Sequence, residues 1–304
     1  EWARIREVQL QEHGELDKLK FKSITVADLI SRYIIQFEPE DGFGRTKAFD
    51  LKKLQNFPLS ELPAVSLTPK DLIDHAHYRK STGTGPATIG NDYIWLSGVF
   101  KAIKASEGIP LDITIFDDAR VILRQHNMIK RSNSRTRRPT KEELWKLSRY
   151  FWRKQYCAKS IVPMLDIMWF QLYSTRRDAE TCRLLWSDNN EERQTGLVRD
   201  AKHPTAKKGN HKRFKYSESA WKIVQKQPRN NELIFPYNPR TISNYFTKAC
   251  KLLGIADLRL HDLRHEGVSR LFESGYSIEQ VALFSLHEDW KTLKRYTHLR
   301  PEDL

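Results

Sequence analysis

One run of polar residues constrains this chain more than any other feature: Lys130-Arg131-Ser132-Asn133-Ser134-Arg135-Thr136-Arg137-Arg138-Pro139. Five of its ten residues are cationic and none is hydrophobic. Such a stretch cannot enter a core, and its proline blocks a helix from running through it. It reads as a linker between two bodies, which a length of 304 residues readily supplies. Directly after it, Thr140 and Glu143 have the spacing of a capping box, which marks a new helix and a new domain. The expected organisation is an N-terminal helical segment (1–20), a helical domain (21–128), the basic linker (129–139) and a second domain (140–304).

Periodicity makes the first domain helical. Val26, Leu29, Ile30 and Tyr33 fall at i, i+3, i+4 and i+7, with Thr25 as the N-cap. Thr68 and Pro69 open another helix. A Gly/Thr/Pro-rich loop over 81–86 precedes a third, where Tyr93, Leu96, Val99, Phe100 and Ile103 share a face. The second domain is helical to about residue 185. Short strands are expected over 196–216, around a polar turn at 204–211, and helices resume near Ser217, Thr241, His261 and Ser277. The fold class is therefore mainly α with a small antiparallel β-sheet in the C-terminal domain (α+β).

A net charge of +14 raises the odds of a polyanionic partner, because neutralising phosphates releases counterions. An anionic membrane surface is the rival, yet no strongly basic amphipathic helix favours it. No apolar run approaches the length of a membrane span. The opening Glu1-Trp2-Ala3-Arg4 has no signal-peptide pattern and no initiator Met, as in a fragment or processed form. Cys157, Cys182 and Cys250 have neither zinc nor disulfide spacing, and their apolar or helical contexts predict buried free thiols suited to a reducing cytoplasm.

The chemistry gathers in the second domain. His261 and Arg264, in His261-Asp262-Leu263-Arg264-His265, share a helix face. His287 follows an apolar helix capped by Ser277 and Gln280, and Tyr296 comes nine residues later. Upstream, Arg177 precedes Glu180, Trp186 and Asp188 by three, nine and eleven residues. Each has an ordinary reading alone: a surface ion pair, helix-end histidines, a packed tyrosine. Together, in this order and spacing, they resemble the tyrosine recombinase (phage integrase) family. The register selects Arg177 over Arg176, and Lys202 best matches the family's hairpin lysine, with Lys207 and Lys208 as fallbacks. Ser174-Thr175-Arg176 and Ser285-Leu286-His287 depart from the family's Thr-Gly and Leu-Gly-His patterns.

The resemblance implies a helical core-DNA-binding domain joined to a catalytic domain. It also implies a site-specific recombinase of a mobile element, acting on double-stranded DNA as a tetramer in the synapse, with a monomer expected when free. A type IB topoisomerase and a catalytically silent DNA-binding regulator are the alternatives. Arg177 and Arg264 would grip the scissile phosphate bidentately. A tyrosine hydroxyl ionises near pH 10, so Tyr296 needs a proton acceptor, and His261 is the expected one. Lys202 would protonate the leaving 5′ oxygen and His287 would donate to a phosphate oxygen. Glu180 and Asp188 are expected to orient Arg177. His203, His211, His265 and His298 are read as non-catalytic, and Trp169 and Trp186 as core. The chemistry calls for no metal and no cofactor. Expected DNA contacts are Arg79, Lys80, Lys101 and Lys104 in the first domain. Lys130, Arg131, Arg135, Arg137 and Arg138 in the linker would act as a strap across a phosphate backbone. A nucleoid-associated protein of the bacterial cytoplasm is expected.

Overall fold

The computed structural model of the protein describes residues 2, 4, 20–39, 42–132, 135–201, 208–294 and 296. Its contacts divide the chain into two compact units, Glu1–Ser134 and Arg135–Leu304. The described residues are mainly helical with one small antiparallel sheet.

In the first unit, α1 (Val26–Phe37) opens on the predicted cap. The Thr25 hydroxyl accepts from the Asp28 amide at 3.1 Å, and the Asp28 carboxylate accepts from the Thr25 amide at 2.9 Å. After α2 (Arg45–Leu54), α3 (Pro69–Ser81) starts on a second capping box, Thr68 with Asp71, with Pro69 in the first turn. The long helix α4 (Pro86–Glu107) buries Tyr93, Leu96, Val99, Phe100 and Ile103, the stripe legible in the sequence. It ends at Gly108, whose φ of 67° suits a residue without a side chain. With α5 (Ile115–Gln125) these helices enclose one apolar core, to which Met128 and Ile129 also belong.

Arg79 corrects an expectation here. It is 3% exposed, its Nε donates to Asp92 at 2.7 Å, and its guanidinium lies over the Phe57 ring at 4.4 Å. Asp92 sits on the buried face of α4, and a buried carboxylate needs a counter-charge. His75 stands on the same carboxylate at 3.3 Å. Arg79 is thus committed inside the unit, whereas Lys80, Lys101, Lys130 and Arg131 are exposed. Lys104 is exposed too, but its ammonium donates to the Leu111 carbonyl at 2.7 Å.

The second unit opens five residues before Thr140, with α6 (Lys141–Trp152) capped as predicted by the Thr140–Glu143 box. A π-helical turn, Arg153–Cys157, follows, and Cys157 is exposed there, against the expected burial; Cys182 and Cys250 are buried. The central α7 (Met164–Ser174) stops at Thr175, which takes a left-handed conformation with φ of 57°. After a short α8 (Asp178–Thr181), β1 (Thr195–Val198) pairs antiparallel with β2 (Lys212–Lys215), in the register Thr195 to Lys215 and Val198 to Lys212. Then come α9 (Glu218–Gln225, capped by Ser217), α10 (Pro239–Leu252), α11 (Asp262–Glu273), α12 (Ile278–Ser285, capped by Ser277) and α13 (Trp290–Lys294). Helix α10 starts ahead of the predicted Thr241, because Asn238 is the cap and Pro239 takes the first turn. Trp169 and Trp186 pack against this unit's core.

Half of the supposed strap is built into this second unit. Arg135 grips Asp262 through Nε at 3.1 Å and Nη2 at 2.9 Å, and reaches Asp257 at 2.9 Å. Arg137 pairs with Glu143, and Arg138 with Glu266 at 2.7 Å and Glu273 at 2.5 Å. Asp262 and Glu266 are 0% and 5% exposed. Carboxylates so buried require cations, and these arginines supply them. Charge alone made the residues look available; the carboxylates that hold Arg135 and Arg138 lie more than a hundred residues downstream.

Helix α11 also crosses α7 at very close range. A Cβ at Gly267 would stand 2.0 Å from the Leu172 carbonyl oxygen, whereas one at Gly98, inside α4, would meet nothing within 4 Å. Gly267→Ala is therefore expected to destabilise the second unit by about 2 kcal/mol or more through overpacking. Gly98→Ala should instead stabilise the first unit by about 0.5–1 kcal/mol through helix propensity. Urea unfolding of both variants checks the contrast, and equal effects would refute the close approach.

Candidate active site

Two segments of the second unit, the stretch that opens α8 and the first turn of α11, bring arginines to one carboxylate. The left-handed turn at Thr175 sets Arg177 as the N-cap of α8, where its guanidinium donates to Glu180 at 2.5 Å and its amide to the same side chain at 3.2 Å. Arg176 comes within 3.6 Å of Glu180 and Arg264, from the first turn of α11, within 3.9 Å. Three guanidiniums thus face one side chain that is 3% exposed. Burial works against the charge of Glu180, but the three arginines outweigh it and hold the carboxyl at about 2. Burial and the neighbouring guanidiniums push Arg264 down to about 9, which leaves it charged at neutral pH.

Exposure separates the two adjacent arginines. The Arg177 side chain is 29% exposed, while Arg176 is interior, over the Phe214 ring at 4.3 Å. The register choice of Arg177 thus falls on the arginine that a substrate can reach. Arg176 has a different task. It donates to the Phe284 carbonyl, which also accepts from the Thr175 hydroxyl, and Arg264 donates to the Ser285 carbonyl at 2.8 Å. These bonds satisfy carbonyls left open at the C-terminus of α12 and suit its negative dipole end. Leu286, with φ of 56°, then turns the chain into His287.

His287 lies on Arg264. Nη2 of Arg264 is 3.1 Å from Nε2 of His287, and the Ser285 hydroxyl is 2.7 Å from Nδ1. An arginine can only donate, so Nε2 accepts and the ring is neutral with its proton on Nδ1. Burial, then Arg264, Arg177 and Arg176, push His287 down to about 3. The expected donation to a phosphate oxygen is therefore not the bond His287 makes in this state. Asp188 also departs from expectation: it binds Arg199 through two contacts of 2.8 Å, so the partner of Arg177 is Glu180.

Tyr296 is 8% exposed and packs with Val268, Val281 and Leu293. Its hydroxyl is hydrogen bonded to Nδ1 of His265, a residue the sequence reading set aside. His261, the expected acceptor, packs its ring edge-on against His265 with centroids 5.1 Å apart. Partial burial of the His261 ring, then Arg264 and Arg177, lower its pKa. The missed signal was the four-residue spacing of His261 and His265, which puts both on one face of α11. Lys202 and Lys207, like His203 and His298, lie outside the described residues. Lys208 is exposed at the end of the hairpin turn. Lys212, at the turn-side end of β2, pairs with Glu288, next to His287, at 3.1 Å.

Against this geometry, the sequence model of the phage integrase family matches residues 119–303, more than half of the chain. Among curated proteins, a shufflon-specific DNA recombinase of Escherichia coli is 34% identical over 174 residues, covering 56% of this chain and 42% of that protein. The integrase of Salmonella phage P22 is 26% identical over 183 residues, covering 52% and 46%. The chain thus spans less than half the length of these relatives. The fold is similar to that of the Tn1549 transposon integrase in complex with a circular intermediate DNA. That match has a TM-score of 0.70 and 16% identity, and covers 92% of this chain and 97% of that one. A lambda integrase tetramer bound to a Holliday junction matches with a TM-score of 0.68 and 18% identity, over 90% and 77%.

The neutral state of His287 has a consequence for stability. Its folded pKa of about 3 lies below the ordinary 6.5. The unfolded chain therefore binds the proton more tightly, and the contribution is present above 6.5 and lost as pH falls toward 3. His287→Gln should lose less stability than the wild type between pH 6.5 and pH 4. Thermal midpoints across that range are the check, and parallel curves would contradict a neutral, desolvated ring.

Proposed function

Because the chain belongs to the phage integrase family, we propose that it is a site-specific DNA recombinase that cuts and rejoins strands through a 3′-phosphotyrosine on Tyr296. The observation that carries this reading is the cluster of three guanidiniums on Glu180, next to a shielded tyrosine hydroxyl bonded to a histidine. Attack on a phosphodiester spreads negative charge over the non-bridging oxygens, and preorganised cations in a desolvated pocket stabilise it most. Arg177, already oriented by Glu180 and reachable from solvent, meets the phosphate first. Arg264 then exchanges His287 for a phosphate oxygen, which frees the histidine from that contact.

The covalent step needs no oxidant and no hydrolysis. The Tyr296 oxygen replaces the 5′ oxygen on phosphorus, and the tyrosyl phosphate keeps the bond's energy for rejoining with another 5′-hydroxyl. Lys202, which the resemblance assigns and which lies outside the described residues, would protonate the leaving 5′ oxygen.

The partner in this reading is double-stranded DNA at a recombination site of a mobile element, which the protein integrates or excises. A homotetrameric synapse extends to this chain the assembly seen for lambda integrase. Lys80, Lys101, Lys130 and Arg131 are the exposed cations that would touch the phosphate backbone. Arg79 and the clamped Arg135, Arg137 and Arg138 take no direct part. Action on bacterial DNA would place the protein in the cytoplasm with the nucleoid; among the described residues, no helix is long and apolar enough to cross a membrane.

The test uses a nicked duplex built on the sequence that the protein selects from a random pool, incubated in EDTA and run on a denaturing gel. The wild type should give a band shifted by the mass of the protein, and Tyr296→Phe none. Arg177→Lys should keep DNA binding yet slow cleavage by about 100-fold or more, because a point charge cannot replace a bidentate fork. DNA that is bound but never joined to the wild type would overturn the assignment.

A further inference from the structure

We propose that His265, and not His261, takes the phenolic proton of Tyr296 during strand cleavage. This rests on the reading of Tyr296 as the nucleophile and adds a catalytic residue to it. The two histidines lie four residues apart on α11 but face different groups. His265 places Nδ1 on the Tyr296 hydroxyl. The phenol is enclosed by Val268, Val281 and Leu293, so its proton leaves most directly along the bond already formed. His261, exposed at the start of the helix, feels Arg264 and Arg177, the two groups that would hold the phosphate. A histidine at a helix N-terminus beside two guanidiniums is suited to donate to an anion and poorly suited to gain a positive charge.

The step balances as follows. The Tyr296 O–H bond breaks and its proton moves to Nδ1 of His265, giving an imidazolium. The Tyr296 oxygen bonds to phosphorus, the bond from phosphorus to the 5′ oxygen breaks, and that oxygen takes a proton from the general acid, Lys202. In rejoining, a 5′-hydroxyl returns its proton to the lysine and attacks phosphorus, while His265 returns its proton to the departing Tyr296 oxygen. A short hydrogen-bond path from acceptor to nucleophile meets the geometric requirement for general base catalysis, which is worth roughly 100- to 10,000-fold.

The charged and titratable surroundings of the pair come from several elements. Helix α11 itself brings His261, Arg264 and Glu266, and the turn after α12 brings His287, whose ring is 6.4 Å from that of Tyr296. Arg264 interacts electrostatically with Tyr296, and Arg177 and Glu180 stand behind it. Helix α12 carries Glu279 in its first turn, and α13 carries Lys294.

Single-turnover rates of covalent complex formation on the nicked duplex, measured from pH 5.5 to 9, test the assignment. His265→Asn keeps an acceptor near the Nδ1 position but cannot take a proton. It should slow cleavage by about 100-fold or more and flatten the rise of rate with pH. His261→Asn should lower the rate and keep that rise. If His265→Asn cleaves within threefold of wild type, or is slowed equally at every pH with the rise intact, the proposal is overturned. It is equally overturned if only His261→Asn removes the rise. A wild type that forms no complex would instead sink the nucleophile assignment itself. A second measurement avoids dependence on a folded histidine variant. In histidine-¹⁵N spectra, Nδ1 of His265 should read as an unprotonated acceptor that shifts in Tyr296→Phe. No shift would refute the bond.

Discussion

Much of the second unit is arranged around one buried carboxylate. Glu180 is nearly inaccessible and carries its charge only because Arg176, Arg177 and Arg264 surround it. Removing such a side chain would leave like charges facing one another without an acceptor, which costs far more than an exposed pair is worth. Three cations against one anion leave a surplus of positive charge inside low-dielectric surroundings. That surplus is unfavourable for the empty protein and would favour the entry of an anion such as a phosphate.

The same three arginines tie the elements together. Arg264 joins α11 to the Thr175 carbonyl and to Ser285, and Arg176 joins Phe284 to the segment before α8. The Gly267 contact lets α11 lie directly on the backbone of α7. On one side α11 presents His261, Arg264 and His265. Asp262 and Glu266, on the same helix, are held by Arg135 and Arg138. Chemistry and anchorage thus share one helix, and a shift of that helix would move the catalytic groups as a set.

How much of this was legible in the sequence depended on distance along the chain. The caps at Thr25, Thr68, Thr140 and Ser277 rest on residues three positions apart, and they form as read. The convergence of Arg177, Arg264 and His287 followed from a recognisable order of motifs. Features set by tertiary pairing stayed hidden. Arg79 looked like a surface cation because its partner Asp92 belongs to the next helix. Arg135 and Arg138 looked like a free tether because the carboxylates of α11 are invisible as neighbours. His265 was passed over for a related reason. Helical spacing puts it beside His261, but only the fold returns Tyr296 to the same place.

The enclosure of Tyr296 has a consequence for the protein away from its target. A phenol walled by three aliphatic side chains and held by an imidazole offers little of itself to solvent-borne electrophiles, oxidants or modifying enzymes. In the proposed role as nucleophile, Tyr296 would thereby be kept chemically quiet away from its target. It would become competent only where a bound phosphate supplies the electrophile from inside the pocket.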